Sequence, residues 1–284
     1  MQEWLAEETR RYQETLQLIG QLVRAGFSPI PTDPSEPEEP GEQGRMRRDH
    51  TVAIVERLSS WSPQRLSLPL RVFSSGPVYE HGRWADSLDV EYVEDGATQG
   101  EAEVFQLIQR LVESRASQAE LVLALGHIGL LEALCQASGL DSEGVESVRR
   151  SLSQGKIAEA KRFLLNLGAE WAEWLCPLSA ERWQRHLAPW LEQVAPPAAQ
   201  ESQRLYALAA ATGLSTRWDL SLTGSWPYYT GLVFSLYEVG LGQALIKGGR
   251  FRVVQGSREF RGVGFTLWLD PWFRRPLGSA GGLA

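Results

Sequence analysis

Apolar side chains recur at helical spacing from the start of the chain. Leu5, Tyr12, Leu16, Ile19 and Val23 fall on one stripe, which predicts an amphipathic helix over 3–25 with Gly26 placed to end it. The period then disappears. "SPIPTDPSEPEEPGEQG" (28–44) is dense in Pro, Glu and Gly, and reads as a loop or a partly disordered excursion. Helical spacing returns in "RDHTVAIVERLSS" (48–60). Alternation typical of strands follows in "LPLRVFSSGPVYE" (68–80) and "SLDVEYVEDG" (87–96), with "HGRWAD" (81–86) as the turn of a hairpin-like pair. Val104, Leu107, Ile108 and Leu111 share one face of a helix predicted over 101–114.

Further along, "AELVLALGHIGLLEALCQASGL" (119–140) begins as a short strand and turns helical after Gly126. Everything from 141 to 213 is predicted helical, including the tryptophan-rich "WAEWLCPLSAERWQRHLAPWLEQV" (171–194), with "APPAAQ" (195–200) as a break. The final third is β-rich. Five apolar segments, "RWDLSLTG", "YYTGLVFSLYEV", "QALIKGG", "RFRVVQG" and "GVGFTLWLD", are separated by glycine-bearing turns, and "PLGSAGGLA" (276–284) is expected to fray. Helices and strands are segregated along the chain and do not alternate, which predicts an α+β fold around an antiparallel sheet.

Composition narrows the functional classes. The chain has 284 residues, 43% hydrophobic and 22% charged, as expected of a globular protein with a substantial core. Its net charge of −7 argues against a nucleic-acid partner, because phosphates demand a basic surface. Its first residues, "MQEWLAEETRRYQ", are charged and do not resemble a secretory signal, and no apolar run is long enough to cross a bilayer. Cys135 and Cys176 are the only cysteines, and both lie in apolar helical patterns. They are expected to be buried thiols in a reducing compartment, which makes a cytoplasmic protein the default.

Familiar catalytic and metal signatures are missing. His50, His81, His127 and His186 are far apart in sequence and have no metal-ligand spacing, so neither a metal nor a cofactor is expected. No phosphate-binding glycine loop or nucleophile elbow is present. Cys135 lies mid-helix among Leu131, Leu134 and Ala137, which favours a structural thiol over a nucleophile. Trp171, Trp174, Trp183 and Trp190 read as core or a helix seam more readily than as a docking face. In "KGGRF" (247–251) two glycines before an arginine suit a tight turn or a close backbone approach.

Several segments occur together and in order in one family. "RRDHT" (47–51), "RVFSSGPVYEHG" (71–82), "LDVEYVEDG" (88–96), "EAEVFQLIQRL" (101–111), "LALGHIGLLEALCQASGL" (123–140), "YYTGLVF" (228–234), "KGGRF" (247–251) and "GVGFTLWLD" (262–270) resemble the histidyl-tRNA synthetase catalytic domain. They are more similar still to its catalytically silent relatives, the regulatory subunits of ATP phosphoribosyltransferase. The resemblance covers about 45–270 and weakly 1–34. It implies a class II synthetase-like antiparallel sheet flanked by helices, as a single domain over 1–274 with a mostly helical insertion at about 115–213 and a tail at 275–284.

It also implies site residues. Asp49 and Thr51 match an acidic residue and a threonine at the amino group of histidine, and Glu94 matches a carboxylate on the neighbouring strand. Tyr228 and Tyr229 match a pair that closes on the imidazole, while Gly248, Gly249 and Arg250 supply pocket backbone. Val90 and Tyr92 stand where the family places a glutamine and a glycine, and Arg252 where an aspartate is usual.

The departures separate the two relatives. Glu80, the segment Gly224–Pro227 and Pro271 stand where a synthetase holds ATP with arginines. Each charge-assisted phosphate contact contributes about 1.5–3 kcal/mol, so their loss opposes amino-acid activation. The resemblance ends where a synthetase continues into an anticodon-binding domain, which again argues against tRNA recognition. The expectation is a non-catalytic regulatory subunit partnering the short-form catalytic subunit of ATP phosphoribosyltransferase. It would form a homodimer within a hetero-oligomer, with histidine as effector and neither nucleic acid nor membrane as partner. The alternatives are a synthetase-derived amino-acid-activating enzyme and a free-standing amino-acid sensor.

Overall fold

The computed structural model describes residues 2–35, 47, 49–62, 66–80, 82–94, 99–115, 120–223 and 227–273. Most of the proline-rich excursion, the C-terminal tail and Gly224–Trp226 thus lie outside the described residues. The chain divides into two compact units. One comprises Met1–Glu120, Glu238–Ile246 and Val253–Ala284, and the other Leu121–Tyr237 and Lys247–Arg252.

In the first unit, helix α1 spans Gln2–Arg24. Gly26 adopts φ 86°, and the amides of Gly26 and Phe27 return to the carbonyls of Val23 and Leu22, closing the last turn. Leu18 and Leu22 are the α1 side chains buried here, while Leu5, Tyr12, Leu16 and Val23 from the predicted stripe are exposed. Strand β1 (Ser28–Pro29) pairs in parallel with β2 (Leu70–Glu80). Helix α2 covers Thr51–Ser59.

Strand β3 (Arg83–Glu94) pairs antiparallel with β2 from Leu70↔Val93 to Glu80↔Arg83. The predicted turn "HGRWAD" is therefore mostly strand. Trp84 pairs across from Tyr79 with ring centroids 5.5 Å apart, and this cross-strand aromatic contact extends the ladder to the tip. Helix α3 (Gly100–Glu113) follows. Strand β9 (Arg258–Trp268) pairs with β3 on one side and with β8 (Ala244–Gln255) on the other, and helix α10 (Leu269–Phe273) closes the unit.

In the second unit the strand order is β8, β7 (Tyr229–Glu238), β4 (Leu121–His127), β6 (Ser215–Trp218) and β5 (Leu178–Ser179). β4 and β6 run parallel, so the sheet is mixed rather than wholly antiparallel. The predicted segments "QALIKGG" and "RFRVVQG" form the single strand β8. Helices α4 (Ile128–Ala137), α5 (Ser142–Ser153), α6 (Ile157–Asn166), α7 (Ala180–His186), α8 (Ala188–Val194) and α9 (Pro196–Ala210) fill the middle of the chain.

"APPAAQ" interrupts the series only at Ala195, between α8 and α9, and its prolines start α9. A proline in the first helical turn costs no hydrogen bond, because that amide has no intrahelical acceptor. Of the tryptophans predicted as core or seam, Trp171 and Trp183 are buried, while Trp174 and Trp190 are half-buried. Trp183 and Trp218 stack at 4.6 Å, both essentially buried, and the Trp171 indole donates to Ser138 Oγ at 2.9 Å. Burial pushes the Cys135 thiol up to about 12, with Glu132 adding to the shift, as befits a structural thiol.

Candidate functional site

The predicted residues fall in both units. Asp49, Thr51 and Glu94 belong to the first, and Tyr228, Tyr229, Gly248, Gly249 and Arg250 to the second.

The first-unit residues are positioned by the start of α2. Arg47 is buried, donates to the Asp33 carbonyl at 2.8 Å and pairs with Glu56 at 2.5 Å, which ties the loop to the helix. Asp49 Oδ1 accepts from the Thr51 amide at 2.9 Å, and the Thr51 hydroxyl donates to Glu91 Oε1 at 2.6 Å. The carboxylate beside Thr51 is thus Glu91. Successive strand residues point to opposite faces, so Glu94 shares the face of Val90 and Tyr92. A side chain on Gly100 would touch both Tyr92 and Glu94, and the Gly100 amide donates to Glu94 at 3.1 Å. Glu94, Val90 and Tyr92 therefore stand on the face that the start of α3 covers, one register step from the polar face.

That polar face is Ser87, Asp89 and Glu91, all essentially buried. Asp89 accepts from the hydroxyls of Ser87 and Thr266, each at 2.6 Å. Glu91 lies over Gly264, where a Cβ would stand only 1.6 Å from Glu91 Oε2. Burial raises the Glu91 carboxyl well above its usual range. Asp89 and Asp49 add to the shift, and the Thr51 hydroxyl opposes it. Glu91 Oε2 is buried without a hydrogen-bond partner. Such a cluster of acceptors favours a cationic group or a proton.

His50 borders the same segment. Its Nδ1 lies 2.7 Å from the Thr32 hydroxyl, itself 2.6 Å from Ser74 Oγ, and its Nε2 is buried without a partner. Ser87, Asp89, Glu91 and His50 were not singled out from sequence. The i, i+2, i+4 spacing of Ser87, Asp89 and Glu91 between the apolar residues Leu88, Val90, Tyr92 and Val93 was the available signal.

In the second unit Tyr228 and Tyr229 are half-buried, edge-to-face at 5.1 Å. The Tyr228 carbonyl accepts from the Arg252 amide at 2.9 Å. Gly249 makes no turn. It lies inside β8, where a Cβ would come within 2.6 Å of the Leu232 carbonyl and 2.9 Å of the Tyr229 ring. Glycine here lets an aromatic ring lie on the strand backbone. Among the described residues no group of three or more His, Cys, Asp or Glu side chains is placed to hold a metal ion.

An α+β arrangement of this kind, with a mixed sheet and a helical segment between its strands, defines a class II synthetase-like protein. A family model described as Histidyl-tRNA synthetase matches residues 42–271, and the chain belongs to that family. It is 29% identical over 243 residues to the ATP phosphoribosyltransferase regulatory subunit of Halalkalibacterium halodurans, a match covering 79% of this chain and 61% of that protein. The chain thus spans about three-fifths of that relative's length. Among solved structures, an ATP phosphoribosyltransferase regulatory subunit/histidyl-tRNA synthetase from Bacillus halodurans superposes with a TM-score of 0.78 at 20% identity, covering 93% of this chain and 78% of that one. A chain of the ATP phosphoribosyl transferase (HisG:HisZ) complex from Thermotoga maritima superposes with a TM-score of 0.69 at 19% identity, covering 91% and 97%. Among the described residues no helix is long and apolar enough to cross a membrane.

Proposed function

We propose that this chain is a non-catalytic regulatory subunit that assembles with, and activates, the short-form catalytic subunit of ATP phosphoribosyltransferase. It would also carry histidine feedback on the first step of histidine biosynthesis. The observation that carries the proposal is the 29% identity, over most of the chain, to a protein named as such a regulatory subunit. Support comes from the resemblance, which sets Glu80, Gly224–Pro227 and Pro271 where a working synthetase would hold ATP with arginines. Of these, Pro271 is buried in α10, while the Glu80 side chain and Gly224–Trp226 lie outside the described residues.

In this proposal Asp49 and Thr51 take the amino group of histidine, with Glu91 in the place first given to Glu94. Within the second unit, by the same resemblance, Tyr228 and Tyr229 are the residues suited to an imidazole, with Gly248, Gly249 and Arg250 as backbone. The protein works in the cytoplasm, as a homodimer within the hetero-oligomer. The exposed apolar stripe of α1 supports self-association.

The deciding experiment mixes the purified chain with the short-form catalytic subunit and measures phosphoribosyl transfer with and without histidine. Activity should rise on mixing and fall again with histidine. Membership of the histidyl-tRNA synthetase family favours one rival, an amino-acid-activating enzyme. Histidine-dependent exchange of pyrophosphate into ATP by the chain alone would establish that rival and overturn the proposal.

A further inference from the structure

The face of β3 that carries Ser87, Asp89 and Glu91 is the middle of a three-strand floor in the first unit, and register fixes its rows. Val72, Glu91 and Gly264 stand side by side on β2, β3 and β9. Ser74, Asp89 and Thr266 form the next row, and Gly76, Ser87 and Trp268 the third. Directly opposed residues of antiparallel strands point to the same face, so these positions share it. The start of α2 lies over the floor. The Thr51 hydroxyl reaches Glu91, and the His50 ring rests over Gly76, where a Cβ would stand 3.6 Å from His50 Nε2.

On this floor Asp89 has both oxygens filled, one by Ser87 and one by Thr266. Glu91 does not. Its Oε1 has the Thr51 hydroxyl at 2.6 Å, while Oε2, packed over Gly264, is buried with no hydrogen-bond partner among the described residues. The charges that act on Glu91 are Asp89 on its own strand and Asp49 before α2, and both are negative. Its row offers only Val72 on β2 and Gly264 on β9, and His50 lies two rows away. Arg47, at the entry to α2, is engaged by the Asp33 carbonyl and Glu56. A second negative charge beside a buried carboxyl favours its neutral form, in line with the raised Glu91 value. An ionised Oε2 needs a donor there, so a proton and a cationic N–H compete for one place.

We propose that the ammonium group of an amine ligand displaces the Glu91 proton, so that binding of the amine releases a proton. The Glu91 O–H bond breaks, the proton passes to solvent, and an ammonium N–H donates to the carboxylate left behind. Thr51 keeps its hydrogen bond to Oε1, and its oxygen retains lone pairs for the same ammonium. The inference rests on the reading that Asp49 and Thr51 receive the amino group of histidine, and it adds a regulation to that site. Affinity for the amine rises with pH until Glu91 is ionised in the free chain.

The test is calorimetry of the full chain with L-histidine, and with imidazolepropionate, which lacks the amino group. Buffers of unlike ionisation enthalpy, from acid to neutral pH, count the protons exchanged. Histidine should release up to about one proton more from the parent than from Glu91→Gln, which keeps the acceptor for Thr51. The ratio of parent to variant affinity cancels the ligand's own titration. That ratio should be close to unity in acid, where both side chains are neutral, and rise to roughly tenfold or more toward neutral pH. A merely structural Glu91 would change affinity without changing the proton count. Imidazolepropionate should release no such proton. An equal release with it overturns the amine as the trigger. Histidine binding with equal proton counts in parent and variant at every pH overturns the inference and leaves histidine feedback standing. Absence of histidine binding to the parent overturns the histidine reading, and the inference with it.

Discussion

Glu91 shows how one buried carboxyl sets a pH dependence. Its folded carboxyl titrates above its unfolded value because burial, Asp89 and Asp49 all disfavour the anion. The stability it contributes is fully present below its ordinary value of 4.5 and is lost as pH rises through the folded value. Glu91→Gln keeps an acceptor for Thr51 and removes the charge. The variant should match the parent in acid and exceed it at and above neutral pH, by on the order of 1–3 kcal/mol in denaturant titrations. Equal stability at pH 8 would mean that the carboxyl is not strained. His127 works in the opposite sense. Its folded value of about 4 lies below the ordinary 6.5, so its stability is present above 6.5 and is lost as pH falls toward 4. That loss amounts to about 3 kcal/mol. His127→Asn should flatten this part of the stability profile, and an unchanged acid slope would assign the loss to other groups.

At the scale of elements, glycines decide where strands and loops approach closely. A methyl group on Gly249 must displace either the Leu232 carbonyl or the Tyr229 ring. Gly249→Ala should therefore cost about 1–3 kcal/mol and alter the tyrosine near-ultraviolet dichroism, with far-ultraviolet dichroism unchanged. No change in either signal would place Tyr229 elsewhere. Much of the element order was legible because period and punctuation agreed. Gly26 ended α1, and Gly126 marked the passage from β4 toward α4. The polar face of β3 was not legible, because alternation says which residues share a face and not which face meets α2. Glu94 was assigned by resemblance, and the carboxylate that the Thr51 hydroxyl meets in the structure is Glu91. "KGGRF" looked like a turn because glycine opens turns and also makes room in strands, and only the Tyr229 ring distinguishes the two.

For the whole molecule, α1 raises the question of assembly. The apolar stripe predicted on α1 is mostly turned outward, with Tyr12 67%, Leu5 52%, Val23 52% and Leu16 49% exposed, while Leu18 and Leu22 anchor the helix. A single chain leaves these apolar side chains in water, at about 25 cal/mol for each Å² that a partner surface covers. A second copy presenting the same stripe offers a self-complementary partner, as two-fold symmetry requires. Leu16→Arg places charge in the middle of that stripe without touching Leu18 or Leu22. Sedimentation velocity should show the parent as a dimer and the variant as a monomer at the same concentration, with thermal unfolding of the monomer still cooperative. A parent that sediments as a monomer at all concentrations would leave the stripe to the catalytic subunit. Leu16→Arg should then abolish activation on mixing while leaving sedimentation of the free chain unchanged.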